Sequence, residues 1–301
     1  MPDSILITGA TGAVSSALID ELGDAPGIRW RALVRDEAKV EGLRQRGIEV
    51  VIGDLDDPRT LAPAFEGVDG VWSLTSVHPR APEHSMNIVW AARQAGVRFI
   101  VRMSAVGASY DAPTRNGRLH ALSDHELQGS GLHWTILKPH FFMQNLFGAA
   151  RSVAGQGAIY MNMGEGRLGM IDVRDIAACA AQVLKAPHLH RGKTYTLTGP
   201  ASISCNEVAL AIGNAIGKPV SYVGVPSDAA REGMTAMGLP QWVADAIVEY
   251  GEAYAGNWGN FTTPTVEQIT GRPPRSIVEF ASDTAGVFKS EDSVREVLEH
   301  A

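Results

Sequence analysis

Two glycines near the start of the chain are spaced for binding a nucleotide. Residues 4–8 form an apolar run that predicts a strand, and Gly9 and Gly12 follow it directly, ahead of a helical pattern that extends to Leu22. Free backbone N–H groups and the dipole at the start of such a helix favour an anion, and glycine keeps Cβ atoms out of its way. The order strand, glycine turn and helix therefore predicts a dinucleotide site with its pyrophosphate at the turn. An ordinary turn of small residues is the alternative.

Arg35 stands at the predicted end of the second strand, where NAD sites usually carry an acidic residue for the ribose hydroxyls. A guanidinium at this place suits the 2′-phosphate of NADP, and Lys39 lies one helical turn beyond it. The pattern favours NADP over NAD, with NADPH preferred over NADH. Asp36 and Glu37 are close enough to leave NAD open, and a solvated charged turn is a further alternative.

Other residues that could contact a nucleotide lie where later strands are predicted to end. Asp54 closes the third strand, where a carboxylate can accept a hydrogen bond from the adenine amino group or serve as a turn or cap residue. Residues 74–76 follow the fourth strand and would pass beside the ribose and nicotinamide mainly through their backbone. Ser104 and Pro139 close the fifth and sixth strands.

His120 is the candidate for proton chemistry. A histidine has an ordinary pKa near 6.5, so beside a hydride acceptor it could donate a proton or bind the ribose. Ser123 and Asp124 fall on the same side of the predicted helix, and the Asp124 carboxylate could orient the ring. A surface helix with a chance histidine fits the sequence equally well, and His125 and His140 are competing candidates.

Apolar side chains in the second half could form the wall of a pocket. Aromatic and thioether groups suit flat apolar ligands, although ordinary core packing explains each of them as well. The residues are Phe141, Phe142, Met143, Met161, Met163, Met170, Trp242 and Trp258.

Strand and helix patterns alternate through the first half, which predicts an α/β fold with a doubly wound parallel sheet. Such sheets bind ligands at the carboxyl ends of their strands, so the candidate residues would meet at one edge. The second half is less regular and predicts a smaller lobe, with strands near 195–197 and 220–225 and helices near 208–216, 229–237 and 242–255. We place the domains at 1–140 and 141–301, with later segments free to return to the sheet.

Composition limits the classes of function. The 301 residues are 45% hydrophobic and 20% charged with a net charge of -7, typical of a soluble globular protein without a basic surface for nucleic acid. Cys179 and Cys205 have neither metal-ligand nor disulfide spacing, which suits the cytoplasm. No apolar run approaches the roughly 20 residues of a membrane span. We expect a small-molecule substrate, no metal, no membrane and no nucleic acid; the sequence does not indicate an oligomeric state.

Several short segments follow one another as far as about residue 280. No single segment is specific for a family, but their order and spacing are. In that order they resemble the NmrA-like family of atypical short-chain dehydrogenases/reductases, which includes type-2 quinone oxidoreductases and triphenylmethane-type dye reductases. The segments are 8–12 (TGATG), 32–35 (ALVR), 53–57 (GDLDD), 120–131, 134–146, 171–175 (IDVRD) and 270–274 (TGRPP).

The resemblance implies a Rossmann-type sheet that binds NAD(P), a small C-terminal α/β lobe and a cleft between them. It implies hydride transfer from the nicotinamide to a small apolar, electron-poor acceptor such as a quinone or dye. A non-catalytic NADP(H)-binding redox sensor that controls a protein partner is the alternative. Together with the strand-end rule, the resemblance places the cofactor on Gly9, Thr11, Gly12, Ala13, Val14, Arg35, Lys39, Asp54, Leu55, Thr75, Ser76, Ser104, His120 and Pro139, with His120 also the catalytic candidate, and the substrate on His140, Phe142 and Asn145.

The chain also departs from the family pattern. Ser15 replaces the third glycine of the turn and is expected either to crowd the pyrophosphate or to donate a hydrogen bond to it. Lys138 and His140 stand where Arg and Gly are usual, and His140 would place an ionisable ring by the cleft. None of the six tyrosines has a lysine four residues later, so the usual Tyr/Lys acid pair is absent.

Overall fold

A computed structural model describes residues 2–23, 27–36 and 40–289, and Lys39 lies outside these ranges. Within them the chain forms two compact units, here called the sheet unit and the second unit. The sheet unit comprises Met1–Ala112, Asn116–Lys138 and Ile176–Thr196, and the second unit comprises Pro113–Arg115, Pro139–Asp175 and Leu197–Ala301. The segment 176–196 thus belongs to the sheet unit although it follows part of the second unit in sequence.

The strands and helices of the described residues follow in chain order. The strands are β1 Ser4–Ile7, β2 Arg29–Val34, β3 Glu49–Ile52, β4 Gly70–Ser73, β5 Phe99–Met103, β6 His133–Pro139, β7 Ala158–Met161, β8 Arg167–Leu168, β9 Lys193–Leu197, β10 Ile203–Ser204 and β11 Ser221–Gly224. The helices are α1 Ala13–Leu22, α2 Val40–Gln45, α3 Ala62–Phe65, α4 Ala81–Gln94, α5 Arg115–Gly129, α6 Ala150–Gln156, α7 Val173–Lys185, α8 Pro187–His190, α9 Cys205–Ile216, α10 Ser227–Ala236, α11 Gln241–Ala255, α12 Thr265–Thr270, α13 Ile277–Asp283 and α14 Ala285–Lys289.

The sheet unit is built on strands in the order β3-β2-β1-β4-β5-β6-β9. Strands β1 to β6 pair in parallel registers; Ile7, for example, lies beside Ala32 on β2 and Trp72 on β4. The order reverses between β1 and β4, and the crevice at such a switch point is where doubly wound sheets bind ligands. The predicted α/β class and Rossmann-type sheet are confirmed.

The central strands of the sheet unit are buried because helices cover a parallel sheet on both faces. All four residues of β1 and all five of β5 are buried. A core cluster around Leu6, Phe65, Val71 and Ile100 fills the space between the sheet and α3 and α4. The strand ends are therefore held on a rigid support, which is what a binding site at the sheet edge requires.

The second unit has its own core and two small sheets. Strands β7 and β11 pair in parallel, and β8 and β10 pair antiparallel. Helix α9 begins with a capping box in which Ser204 and Glu207 satisfy each other's backbone N–H groups. Three methionines considered for a pocket wall are buried in this core, which supports the packing interpretation for them: Met143, Met163 and Met170.

No helix among the described residues combines sufficient length with sufficient apolar character to cross a membrane.

Candidate functional site

The glycine turn after β1 has the geometry of an anion cradle. Gly9 has a φ of +62°, and a Cβ there would lie 2.8 Å from Cδ2 of Leu74. Gly12 precedes α1 without a side-chain cap, and the first turn of α1 contains no acidic residue. Within the described part of the chain, the leading N–H groups of α1 therefore lack a side-chain acceptor, which is the arrangement that binds a pyrophosphate.

Ser15 does not face this cradle. Its side chain is fully buried, its hydroxyl donates to the carbonyl of Thr8 at 3.3 Å, and it accepts a hydrogen bond from Nε1 of Trp72 at 3.0 Å. The hydroxyl thus ties α1 to β1 and β4 beneath the turn. The expectation that Ser15 crowds the pyrophosphate or donates to it is corrected, because the group is already committed below the turn.

Thr75 tests whether a cofactor fits at the switch point. Its hydroxyl is buried and finds no hydrogen-bond partner among the described residues. Buried polar groups are nearly always satisfied, so an unpaired hydroxyl just beyond β4 indicates a partner that the chain itself does not supply. The hydroxyl of Thr8, just after β1, donates to the carbonyl of Leu74 and accepts from its N–H, each at 2.8 Å. These bonds hold the ends of β1 and β4 together. The cradle and this hydroxyl fit a dinucleotide.

Arg35 and Asp54 follow β2 and β3. Arg35 is exposed and makes no hydrogen bond or ion pair with another described residue, so its guanidinium is available to a phosphate. The Asp54 carboxylate accepts a hydrogen bond from the backbone N–H of Asp56 at 2.9 Å. One of its oxygens therefore serves the turn, which is one of the two roles that the sequence left open.

A charged cluster that sequence reasoning did not assemble lies at the ends of β5 and β6. Arg102 on β5 is 1% exposed, and its Nε donates to the Asp124 carboxylate at 3.0 Å. The same carboxylate accepts from the Ser104 hydroxyl at 2.8 Å and pairs with Nζ of Lys138 at 3.2 Å. The other nitrogens of Arg102 bind the Ser85 hydroxyl and Nδ1 of His120, each at 3.2 Å. One guanidinium thus connects helices α4 and α5 to strand β5.

His120 is half-buried beside this cluster. Burial, and then the positive charges of Arg102 and Lys138, lower the pKa of His120 to about 3. The ring is therefore neutral at physiological pH, and the side chain is not an imidazolium acid in this state. Asp124 does not orient the ring directly, as the sequence suggested, because Arg102 stands between the carboxylate and Nδ1.

Sequence reasoning missed Arg102 because it examined strand ends rather than strand interiors. The available signal was a lone arginine inside the apolar strand β5, since buried charges occur only where they are paired. Ser104 was expected at the cofactor, but its hydroxyl donates to Asp124, and its N–H donates to the carbonyl of Leu137. Its side chain therefore supports the cluster.

The predicted substrate residues lie in the second unit in three different environments. His140 is 1% exposed, its Nδ1 accepts from the N–H of Phe141 at 2.8 Å, and its Nε2 donates to the carbonyl of Gly259 at 3.1 Å. Burial lowers the pKa of His140 to about 4. With both nitrogens used, this ring has a packing role and leaves none for a substrate. Phe142 is half-buried and Asn145 is exposed.

Comparison with known proteins agrees with the cradle. Residues 9–187 match the model of a family described as NAD(P)H-binding. An NAD(P)H azoreductase of Xenophilus azovorans is 39% identical over 94% of this chain and 99% of its own length.

Two solved structures are similar in fold over nearly their whole length. The NADPH-dependent quinone oxidoreductase of Escherichia coli in complex with NADPH has a TM-score of 0.84 at 26% identity, covering 93% of this chain and 99% of that one. The triphenylmethane reductase of Citrobacter sp. in complex with NADP(H) has a TM-score of 0.81 at 25% identity, covering 94% and 99%. The resemblance drawn from the sequence is thereby confirmed.

Proposed function

The chain belongs to the NAD(P)H-binding family, and from this premise we propose that it is an NAD(P)H-dependent oxidoreductase that reduces a small, electron-poor acceptor such as a quinone or a dye. The observation that carries the proposal is the uncapped glycine cradle with the unpaired Thr75 hydroxyl, at the switch point of a sheet of this family. The 39% identical azoreductase and the two solved reductases, all matched nearly end to end, support the class of acceptor.

The cofactor is held by residues at the carboxyl ends of the strands. The turn and the first residues of α1 bind the pyrophosphate through backbone N–H groups. The turn after β3 would hold the adenine, and the segment after β4 would hold the nicotinamide ribose, with Thr75 supplying a hydroxyl. The residues in these roles are Gly9, Thr11, Gly12, Ala13, Val14, Asp54, Leu55, Thr75 and Ser76, and we propose His120 and Pro139 as further cofactor contacts near the ends of β5 and β6.

Arg35 makes NADPH the preferred form of the cofactor. A guanidinium without another described partner offers paired, charged hydrogen bonds to the 2′-phosphate, and NADH has no group to receive them. Lys39, the second candidate for this phosphate, lies outside the described residues.

The chain's chemical task is to position the reactants. Bound NADPH supplies a hydride, and the acceptor gains that hydride and one proton. His120 is the proposed group beside the reacting atoms, where its neutral ring donates a hydrogen bond and water supplies the proton. Phe142 and Asn145 of the second unit are kept as proposed substrate contacts on the family resemblance alone.

The sensor alternative has less support, because the azoreductase, at 39% identity, and the quinone oxidoreductase, at 26%, are both named as oxidoreductases and match nearly end to end. A cytoplasmic location is part of the proposal and is supported by two buried cysteines, neither of which forms a disulfide.

A turnover experiment separates the two functions. We expect steady NADPH oxidation with at least one member of a panel of quinones, azo dyes and triphenylmethane dyes, followed by absorbance of the reduced nicotinamide. Tight NADPH binding without turnover on any member of the panel would contradict the reductase and favour the sensor.

Arg35→Ala tests the cofactor assignment. Losing charged hydrogen bonds worth about 1.5–3 kcal/mol should weaken NADPH binding roughly 10- to 100-fold and leave NADH binding nearly unchanged, as measured by fluorescence titration. Arg29→Ala is the matched control, because Arg29 is an exposed arginine at the opposite end of the same strand. Equal weakening of NADH and NADPH by Arg35→Ala would refute the role of Arg35.

A further inference from the structure

The contact between Arg102 and His120 determines which ring nitrogen carries hydrogen. A guanidinium has only donors, so Nη2 of Arg102, 3.2 Å from Nδ1, can bind that nitrogen only when it is an acceptor. A neutral imidazole with an acceptor at Nδ1 has its hydrogen at Nε2. A carboxylate in the same place would have selected the opposite tautomer. Arg102, standing where Asp124 was expected, therefore reverses the direction in which the ring donates.

The surroundings also fix the charge of the ring. Two cations face the ring, Arg102 from β5 and Lys138 from β6. Helix α4 contributes Ser85, which is uncharged and is hydrogen-bonded to Arg102. Asp124, on the same helix as His120, pairs with both cations and lies behind Arg102. The three charges leave a net positive charge beside the ring, which opposes its protonation.

The geometry points to Arg102 as a positioning residue for His120. We propose that its guanidinium locks the ring in the neutral Nε2–H tautomer, so that His120 presents a hydrogen-bond donor of constant charge to the cofactor or the acceptor. The role that we give to this donor rests on the proposed oxidoreductase function. The fixed tautomer, in contrast, is a property of the folded chain. Among the described residues Nε2 has no hydrogen-bond partner, which leaves its hydrogen available.

The lock can be measured directly in the wild-type protein. Long-range proton–nitrogen correlation spectra of protein labelled with ¹⁵N-histidine distinguish protonated, Nδ1–H and Nε2–H rings, and loss of one signal in His120→Gln assigns the residue. We expect His120 to remain an Nε2–H ring from about pH 8 to about pH 5, well below the ordinary histidine pKa of about 6.5. An Nδ1–H ring, or titration between about pH 6 and 7, would overturn the proposal.

Arg102→Gln should release the lock. Asp124 keeps Ser104 and Lys138 as partners in this variant, so its carboxylate is not left alone. We expect the pKa of His120 to rise by more than about one unit as one of the two facing cations is lost. If the variant does not fold, Arg102→Gln combined with Asp124→Asn removes both members of the buried pair and should release the ring in the same way.

Ser85→Ala is the matched control. It removes another hydrogen bond of the same guanidinium, also at 3.2 Å, and leaves the contact with His120 in place. We expect unchanged His120 signals, and a shift as large as that of Arg102→Gln would show general loosening and overturn the proposal. The two proposals can fail independently. A locked ring in a protein that does not oxidise NADPH would refute only the reductase function. NADPH oxidation by a protein whose His120 titrates would refute only the lock.

Discussion

His120 in the sheet unit and His140 in the second unit are both neutral rings at physiological pH, but they differ in what their nitrogens contact. Burial lowers both pKa values, with the help of two cations at His120. At His140 both nitrogens bind backbone groups of the second unit. At His120 the only nitrogen with a partner among the described residues is Nδ1, and that partner is a charged side chain from β5. A lowered pKa therefore does not distinguish the two rings, whereas the number of nitrogens without a described partner does.

The largest expected effect is a loss of kcat when the ring of His120 is replaced, and its size should depend on whether the new side chain keeps a hydrogen-bond donor. His120→Leu removes the donor at Nε2, and loss of one well-placed donor costs about 100-fold in kcat. His120→Gln should retain kcat within about tenfold, because an amide also combines an acceptor with a donor, and acid catalysis by an imidazolium would instead make the two variants equally poor. Steady-state kinetics with NADPH and a dye measures both.

The corresponding change at His140 should affect folding and not chemistry. His140→Ala leaves a cavity and two backbone groups without partners, so we expect the free energy of unfolding to fall by about 3 kcal/mol in denaturant titration. The kcat of the folded enzyme should stay within about twofold of wild type. A loss of kcat as large as that of His120→Leu would restore His140 as a substrate contact and break the comparison.

The pH dependence of stability should report both rings. Each has a lowered pKa in the folded state, so between that value and about 6.5 the unfolded chain binds more protons, and stability falls as pH falls. Each ring contributes up to about 1.4 kcal/mol per pH unit in this range. We expect the free energy of unfolding to decrease from about pH 6.5 to about pH 5, with a smaller slope in His140→Gln. An unchanged slope in that variant would contradict the lowered pKa of His140.

The smallest effect concerns the turn itself. Ser15→Gly restores the family glycine but leaves Nε1 of Trp72 without its acceptor, so we expect a loss of about 2 kcal/mol in stability and no more than about a twofold change in NADPH affinity. Ser16→Gly, at the next position of α1, controls for the intrinsic cost of glycine in a helix, roughly 1 kcal/mol. A tenfold gain in NADPH affinity in Ser15→Gly would show that the hydroxyl crowds the phosphate after all.

Local signals were sufficient to predict the sheet. The glycine turn and the apolar strands act over a few residues, so their structure follows from short stretches of sequence. Helices α6 and α7 were not identified. Helix α7 does carry a helical pattern, because its polar residues Arg174, Asp175, Gln182 and Lys185 recur on one face, and that pattern was overlooked.

The contacts that define the site could not be predicted because they join distant residues. Ser15 and Trp72 are 57 positions apart, and Arg102 and Asp124 are 22 apart. Whether Ser15 faces a phosphate or an indole depends on which side of α1 the sheet covers. Whether Asp124 faces His120 or a cation likewise depends on β5 lying under α5. Residue type and helical spacing alone do not decide either question.

During synthesis, β6 is translated well before β9, the strand that pairs with its outer edge in the sheet. The edge strand β9 follows about 55 residues later, which takes roughly 3 to 11 seconds at 5–20 residues per second. During that delay β6 exposes unpaired backbone donors and acceptors, the kind of edge that recruits another chain. The nascent protein thus passes through an aggregation-prone interval that the finished fold does not reveal, and a fragment truncated at Lys138 would retain that hazard permanently.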